Sequence, residues 1–171
     1  NTYMLMEKLK QNRVALLADS VGLGKTKTAI NVIKQYKFQV KDNFRVEIIC
    51  PAGLTNHWLR ELKNEGLFNI PVTSKQNLGN LEERKELDNI ANVKLFVIDE
   101  SHNYRNTSTE SYKVMEEWIK NNPNSHVLLL SATPINNSLT DIKNQLLLGT
   151  GGDPDRFYLN YIDVEGKSEF L

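Results

Sequence analysis

The chain has 171 residues, with 21 Lys and Arg against 21 Asp and Glu, so its formal net charge is +0. A chain of this length buries enough surface to fold as one domain, and its single cysteine, Cys50, cannot form an internal disulfide. No apolar stretch reaches the roughly 20 residues of a membrane span, and a neutral chain does not hold nucleic acid by bulk charge. We therefore expect a soluble protein of a reducing, cytoplasmic compartment without a membrane partner.

Short apolar runs alternate with segments of helical periodicity along most of the chain. The apolar runs at residues 14–19, 45–50, 94–99 and 126–131 predict strands that are buried on both faces. The periodic segments at residues 25–36, 54–65, 81–91 and 138–148 predict helices, and another is expected to start at Thr107. This alternation predicts an α/β fold with a parallel β-sheet and helices on both faces.

Two of the helix starts carry capping signals. Thr107 is followed three residues later by Glu110, as in a capping box, and Ser138 is followed by Asp141. On the face of the helix at 54–65, Leu59 and Leu62 form the predicted apolar pair.

Regular periodicity ends near Gly149, where glycines and Pro154 break any continuing helix. We expect a domain at residues 1–150, with residues 151–171 as a C-terminal extension or the start of a linker. The sequence starts at Asn1 without an initiator methionine, so we expect a longer protein.

A glycine-rich segment between the first predicted strand and helix predicts a phosphate site. In residues 19–28 (DSVGLGKTKT), Gly22 and Gly24 permit a tight turn whose N–H groups face phosphate oxygens at a helix N-terminus. Lys25 is placed to reach the β and γ phosphates, and the Thr26 hydroxyl to ligate Mg²⁺. The strict phosphate-loop spacing is not met, because its first glycine falls on Asp19. The alternative is a glycine-rich turn with an incidental lysine.

An acidic pair follows the third predicted strand, in FVIDESH (residues 96–102). Carboxylates at the carboxyl end of a parallel strand lie near the phosphate loop, because ligands bind outside these strand ends. Asp99 is placed to hold Mg²⁺ through water, and Glu100 to orient and deprotonate the attacking water. The alternative is a pair of solvated charges.

Four segments in this order resemble motifs I, Ia, II and III of superfamily 2 helicases. They are DSVGLGKT, CPAGLTNHWLREL (residues 50–62), DESHNYRN (residues 99–106) and LLLSATPINNSL (residues 128–139). More narrowly they resemble SNF-type DNA translocases, whose motif Ia carries a pair like His57-Trp58. The sequences of motifs I and II are similar to those of bacterial members of this family, some of which are fused to phospholipase D-like nuclease domains.

The resemblance implies a RecA-like P-loop NTPase lobe, the first of two, that uses ATP and Mg²⁺ on double-stranded DNA. A second RecA-like lobe, with a fused nuclease or accessory domain, would lie elsewhere in the full-length chain. The candidate catalytic residues are Glu100, Asp99 and Lys25. The residues implied in nucleotide and Mg²⁺ binding are Gly22, Leu23, Gly24, Lys25, Thr26 and Lys27, with Thr26 and Asp99 at the metal. His102 would couple motif II to Ser131 and Thr133 of motif III, and Pro51, Thr55 and Asn56 would contact the nucleic-acid backbone.

Several features depart from the family pattern. In motif I, Asp19-Ser20-Val21 replaces the more acidic sequence that is common in the family. The motif that recognises adenine is not found in the sequence, and no segment is assigned to motif Ib. Motifs IV to VI and their arginine finger are not in the sequence, so the chain alone should hydrolyse ATP very slowly. Open alternatives are a single-strand DNA or RNA helicase, a restriction-system motor, a non-motor ATP-dependent switch that gates a protein partner, and a degenerate lobe kept as a platform.

Other conspicuous side chains favour structural roles. Trp58, Trp118 and Tyr112 fall on helical faces and are predicted to pack in the core or against another lobe. Cys50 is predicted to be a buried small hydrophobe. Tyr104, with Arg105, is a candidate for contact with a partner domain or DNA.

Overall fold

The computed structural model describes residues 2–18, 24–40, 44–79, 90–134, 138–154, 160–162 and 168–170. Within these residues the strands are β1 (Val14–Ala18), β2 (Val46–Cys50), β3 (Val72–Ser74), β4 (Leu95–Ile98), β5 (His126–Ser131), β6 (Asn160–Ile162) and β7 (Ser168–Phe170). The α-helices in the same residues are α1 (Thr2–Asn12), α2 (Lys25–Val40), α3 (Thr55–Asn64), α4 (Glu110–Asn121) and α5 (Leu139–Gly149).

Strands β1 to β5 form one parallel sheet in the order β1-β5-β4-β2-β3. In the centre of this sheet Ile48 of β2 lies opposite Val97 of β4, which lies opposite Leu128 of β5. The parallel register confirms the predicted α/β fold, and it brings the carboxyl ends of all five strands to one edge. Strands β6 and β7 form a separate antiparallel pair.

Alternate residues of the central strands pack on opposite faces of the sheet. Ile48 and Leu128 belong to a core cluster with side chains of α1, α2 and α3. Ile49 and Leu129 belong to a second cluster with side chains of α4 and α5. A strand covered on both faces needs apolar residues at successive positions, which explains the predominantly apolar runs in the sequence, interrupted in β2 by Glu47.

The predicted strands at 14–19, 45–50, 94–99 and 126–131 and the helices at 25–36, 54–65 and 138–148 are confirmed in type and position. Most of the helix predicted at 81–91 lies outside the described residues. The sequence predicts neither α1 nor β3. Helix α1 buries Leu5, Met6 and Leu9, and β3 has only 3 residues, too few for a periodic signal.

The capping box predicted at Thr107 is wrong. Helix α4 begins at Glu110, and its N-cap is Thr109, whose side chain accepts a hydrogen bond from the backbone N–H of Tyr112 at 3.3 Å. The side chain of Asn106 forms a turn before this cap, which keeps Thr107 outside the helix. Glu110 is therefore the first helical residue and cannot serve as the third residue of a capping box.

Two further expectations on helices change. Ser138 is the N-cap residue of α5, as predicted, but within the described residues its side chain makes no capping hydrogen bond. Helix α3 buries Trp58 and Leu62, whereas Leu59 is 47% exposed, so the predicted apolar pair is wrong. The predicted burial of Trp58, Trp118, Tyr112 and Cys50 is confirmed.

Candidate active site

The candidate site residues that the structure describes lie at the carboxyl edge of the parallel sheet. Helix α2 begins at Lys25 after β1, α3 begins at Thr55 after β2, Asp99 follows β4, and Ser131 ends β5. In α/β sheets this edge is where ligands bind. Gly22 and Leu23 lie outside the described residues.

The start of α2 carries the basic end of the predicted phosphate loop. Gly24 has a φ of +81°, the left-handed region that glycine adopts without strain, and a Cβ there would meet nothing within 4 Å. Its carbonyl accepts the N–H of Thr28 at 3.0 Å. Lys25 and Thr26 are partly buried and Lys27 is exposed. The positive dipole end of this 16-residue helix favours an anion beside these side chains.

The carboxylate of Asp99 is held by hydrogen bonds from α3 and from the segment after β4. Only 7% of the residue is exposed, and its backbone N–H donates to the carbonyl of Ile49 at 2.8 Å. Its Oδ2 accepts from Nε1 of Trp58 at 2.9 Å, and its Oδ1 accepts from the backbone N–H of Glu100 at 2.9 Å. Each carboxylate oxygen therefore has a protein donor that fixes its orientation, and each keeps a lone pair for another ligand.

Glu100 has a left-handed backbone, with φ 51° and ψ 48°. For a residue with a Cβ this conformation costs of order 1–3 kcal/mol, and such strain is concentrated at functional sites. Asn103 stabilises it, because both its backbone N–H and its side-chain amide donate to the carbonyl of Glu100, at 3.0 and 2.9 Å. The sharp turn begins the 3₁₀ helix Ser101–Tyr104.

His102 brings the segment after β4 next to the end of β5. Its Nδ1 lies 3.1 Å from Oε2 of Glu100 and 3.3 Å from Oγ of Ser131. Ser131 is fully buried, and its Oγ accepts the N–H of Thr133 at 3.2 Å. With the proton on Nδ1, the imidazole donates to Glu100 and contacts Ser131. The three residues predicted to couple motifs II and III are therefore neighbours.

A second layer of polar groups supports this site, and sequence reasoning missed it. The buried hydroxyl of Ser101 donates to Oε1 of Gln145 at 2.8 Å, and Nε2 of Gln145 donates to the carbonyls of Pro134 and Asp141. Gln145 is fully buried in α5. The sequence signal for this layer was a glutamine on the apolar side of the helix predicted at residues 138–148, because a buried amide needs hydrogen-bond partners.

The start of α3 carries the predicted nucleic-acid contacts. Pro51 and Thr55 are partly buried and Asn56 is exposed. The Thr55 hydroxyl lies 3.8 Å from Sγ of Cys50, and burial raises the pKa of that thiol. Cys50 is therefore a packed, protonated side chain next to this segment.

Lys75, just after β3, is a cation near this edge that the sequence analysis did not single out. Its amine donates to the carbonyl of Asn103 at 3.3 Å and lies 5.5 Å from the centre of the Tyr104 ring. Burial lowers the pKa of Lys75. Tyr104 is almost fully buried, so its ring packs in the core, while Arg105 is partly buried.

The donor atoms fit Mg²⁺ bound together with a nucleotide. The Thr26 hydroxyl and the Asp99 carboxylate are hard oxygen ligands, and Mg²⁺ is commonly held by one or two such groups plus substrate phosphates and water. In the part of the chain that the structure describes, no cluster of three or more His, Cys, Asp or Glu could hold a metal alone. The residues therefore suit a metal that enters with its substrate.

A groove of about 490 Å³ lies at the opposite edge of the sheet. It is lined by residues near the amino ends of β2 and β3, among them Lys37, Arg45 and Phe68. None of the candidate site residues lines it.

Residues 31–142 match the DEAD/DEAH box helicase family, and the chain belongs to this family. It is 32% identical over 154 residues to an uncharacterized ATP-dependent helicase, YqhH, of Bacillus subtilis (strain 168), covering 81% of this chain and 26% of that protein. It is 26% identical over 161 residues to the ISWI chromatin-remodeling complex ATPase ISW1 of Saccharomyces cerevisiae, covering 78% of this chain and 14% of that protein.

The fold is similar to the Sulfolobus solfataricus SWI2/SNF2 ATPase core, solved in complex with dsDNA, with a TM-score of 0.68 and 24% identity. This similarity covers 91% of the present chain and 36% of that one. The resemblance to SNF2-type helicases and the RecA-like fold are thus confirmed, and the chain spans about a quarter or less of the relatives' length. In the described residues, no helix is both long and apolar enough to cross a membrane.

Proposed function

We propose that residues 1–150 form the N-terminal ATP-binding lobe of a SNF-like superfamily 2 translocase that couples ATP hydrolysis to movement on double-stranded DNA. The observation that carries this proposal is the meeting of Lys25 and Thr26, Asp99 and Glu100, and Ser131 at one edge of a parallel sheet. The family match and the SNF2-type relatives support the same function. With a bacterial relative, the proposed location is the bacterial cytoplasm.

Each side chain has a task in ATP hydrolysis. The backbone of residues 22–24 and the amine of Lys25 bind phosphate oxygens, with Lys27 adding positive charge to the first turn of α2. Thr26 and Asp99 hold Mg²⁺, which neutralises developing phosphate charge when bound. Glu100 accepts a proton from the attacking water, and its contact with His102 holds its carboxylate near the strand ends.

The His102–Ser131 contact is the proposed link between the nucleotide and the nucleic acid. The Ser131 hydroxyl also accepts the N–H of Thr133, so a change at Glu100 alters the segment after β5. Pro51, Thr55 and Asn56 at the start of α3 contact the nucleic-acid backbone, and the Thr55 hydroxyl and the Asn56 amide donate to phosphate oxygens.

A second RecA-like lobe completes the site in the full-length protein. Hydrolysis in this class depends on positioning and charge stabilisation, and an arginine finger contributes about 10³ to 10⁵ in rate. The 171-residue chain is therefore expected to bind nucleotide and to hydrolyse it very slowly. Closure of the second lobe converts the cycle into steps along the duplex.

The test is the ATPase rate of the full-length protein with duplex DNA, with single-stranded DNA of equal length, with RNA and with no nucleic acid. We expect the largest stimulation by duplex DNA, with a stimulation that weakens as salt rises. Greater stimulation by single strands or RNA would support a strand-separating helicase instead. ATP binding without stimulation by any nucleic acid would support a nucleotide switch.

A further inference from the structure

We propose that Trp58 is a positioning residue for Asp99, whose indole fixes the orientation in which this carboxylate faces Mg²⁺. The inference rests on the proposed function, because it takes Asp99 to be a ligand of the Mg²⁺ that is bound with ATP. Trp58 belongs to motif Ia, whose implied role is contact with the nucleic-acid backbone. A role in orienting a metal ligand is additional to that contact.

The contact joins two buried groups on different elements. Trp58 of α3 is 0% exposed and Asp99 is 7% exposed, and Nε1 of the indole lies 2.9 Å from Oδ2 of the carboxylate. The other oxygen, Oδ1, accepts the backbone N–H of Glu100. With a donor on each oxygen, the carboxylate cannot rotate about its Cβ–Cγ bond without breaking a hydrogen bond.

Packing alone does not account for an indole at this position. The ring lies in the core cluster between the sheet and helices α1 to α3, where the smaller apolar ring of phenylalanine would need no hydrogen-bond acceptor. A buried indole N–H needs an acceptor, and here the acceptor is the candidate metal ligand, 41 residues away in sequence. Loss of the donor leaves Asp99 held at Oδ1 alone, so its second oxygen becomes free to turn away from the metal.

Groups that orient metal ligands typically contribute a factor of about 10–100 in metal affinity. The variant Trp58→Phe removes the donor and keeps an apolar ring. Trp118→Phe is the matched control, because Trp118 is also buried but lies in the cluster on the opposite face of the sheet. Both variants are compared with the wild-type 171-residue chain after their folded state is checked by circular dichroism.

The measurement is the affinity for a fluorescent ATP analogue in EDTA and over a series of Mg²⁺ concentrations. We expect Trp58→Phe to need about 10–100 times more Mg²⁺ than the wild type to reach half of the Mg²⁺-dependent increase in affinity for the analogue. Its affinity in EDTA should equal that of the wild type, and Trp118→Phe should match the wild type in both conditions. Wild-type Mg²⁺ dependence in Trp58→Phe overturns this inference and leaves the proposed function standing. A wild-type chain that binds no nucleotide overturns both.

A second measurement uses the wild-type chain and does not depend on the folding of Trp58→Phe. The sequence has 2 tryptophans, so two indole N–H signals are expected in a ¹H–¹⁵N spectrum, and Trp118→Phe assigns them. Adding Mg²⁺ to the nucleotide-bound chain should shift the Trp58 signal and leave the Trp118 signal in place. A Trp58 signal that does not move overturns the inference.

Discussion

His102 and Ser131 are in contact, with 3.3 Å between Nδ1 of the imidazole and Oγ of the serine. His102 follows β4, and Ser131 is the last residue of the neighbouring parallel strand β5. Because the same Nδ1 lies 3.1 Å from the carboxylate of Glu100, one side chain joins the proposed general base to the segment after β5.

We expect Ser131→Ala to leave ATP affinity unchanged and to lower DNA-stimulated turnover of the full-length protein by about tenfold, as for a typical coupling between sites. The serine hydroxyl is the contact between His102 and Thr133, and its loss separates them without touching the nucleotide. Steady-state ATPase assays with and without duplex DNA measure the effect.

The control for this variant is Ser125→Ala. Ser125 is also buried and lies just before the opposite end of β5, next to Arg13. It should reduce stability and leave the ratio of stimulated to basal rate unchanged. An equal loss of stimulation in both variants would refute the coupling role of Ser131.

Glu100→Gln should keep ATP bound and reduce turnover of the full-length protein by ~10² to 10⁴, the usual contribution of a general base. Glutamine preserves the size of the side chain and leaves the backbone contacts of Asn103 with residue 100 in place. Single-turnover hydrolysis and nucleotide binding are measured together, with Glu117→Gln on the exposed face of α4 as control. Turnover near the wild-type rate would show that another group deprotonates the water.

Arg13 is predicted to be a main stabilising residue of the lobe. Its guanidinium donates to the carbonyls of Ser125, Ile119, Asn122 and Thr150, at 2.9 to 3.3 Å, and so binds the carbonyl end of α4. A hydrogen bond to a charged group contributes about 1.5–3 kcal/mol to stability. In a variant without the guanidinium, water will take the place of some of these bonds.

We therefore expect Arg13→Ala to lower the free energy of unfolding by ~2–4 kcal/mol, measured by urea denaturation. Arg13→Lys should recover little of it, because an ammonium cannot reproduce the forked geometry. Lys10→Ala, in the exposed ion pair with Glu7, should change stability by less than about 0.5 kcal/mol. Equal effects of Arg13→Ala and Lys10→Ala would refute this role.

His126 should make the lobe less stable in mild acid. Burial, followed by the charge of Arg13, lowers the pKa of His126 in the folded chain, and its ring packs edge-on against Tyr36 at 5.6 Å between centroids. Below the unfolded pKa of about 6.5, the unfolded chain binds a proton that the folded chain does not, so stability falls as pH drops.

The free energy of unfolding of the wild type and of His126→Gln is measured at about pH 7.5 and pH 5.5, on either side of the unfolded histidine pKa. The variant should lose less stability between the two values than the wild type does. An identical loss in both proteins would assign the acid sensitivity to other groups.

The parts of the fold that were predictable from sequence are those with strong local signals. The strands of the central sheet are buried on both faces, so most of their residues are apolar, with exceptions such as the buried Glu47 in β2. Lys25 after a glycine turn and Asp99 after an apolar strand mark the site because their positions at strand and helix ends follow from topology. Strand β3, with 3 residues, carries no such signal.

The remaining features depend on contacts between distant residues. The Trp58–Asp99 hydrogen bond joins positions 41 apart, and the left-handed backbone of Glu100 occurs at a residue that rarely adopts it. Several neighbouring residues could cap α4. The turn at Asn106 places Thr109, and not Thr107, at the N-cap position.

The central claim is that the start of α2 binds the phosphates of ATP, and its most direct test is equilibrium binding of a fluorescent ATP analogue to the 171-residue chain with Mg²⁺. We predict that Lys25→Ala abolishes binding, while Lys113→Ala, on the exposed face of α4, binds as the wild type does. Unchanged ATP affinity in Lys25→Ala would contradict the assignment of the phosphate site.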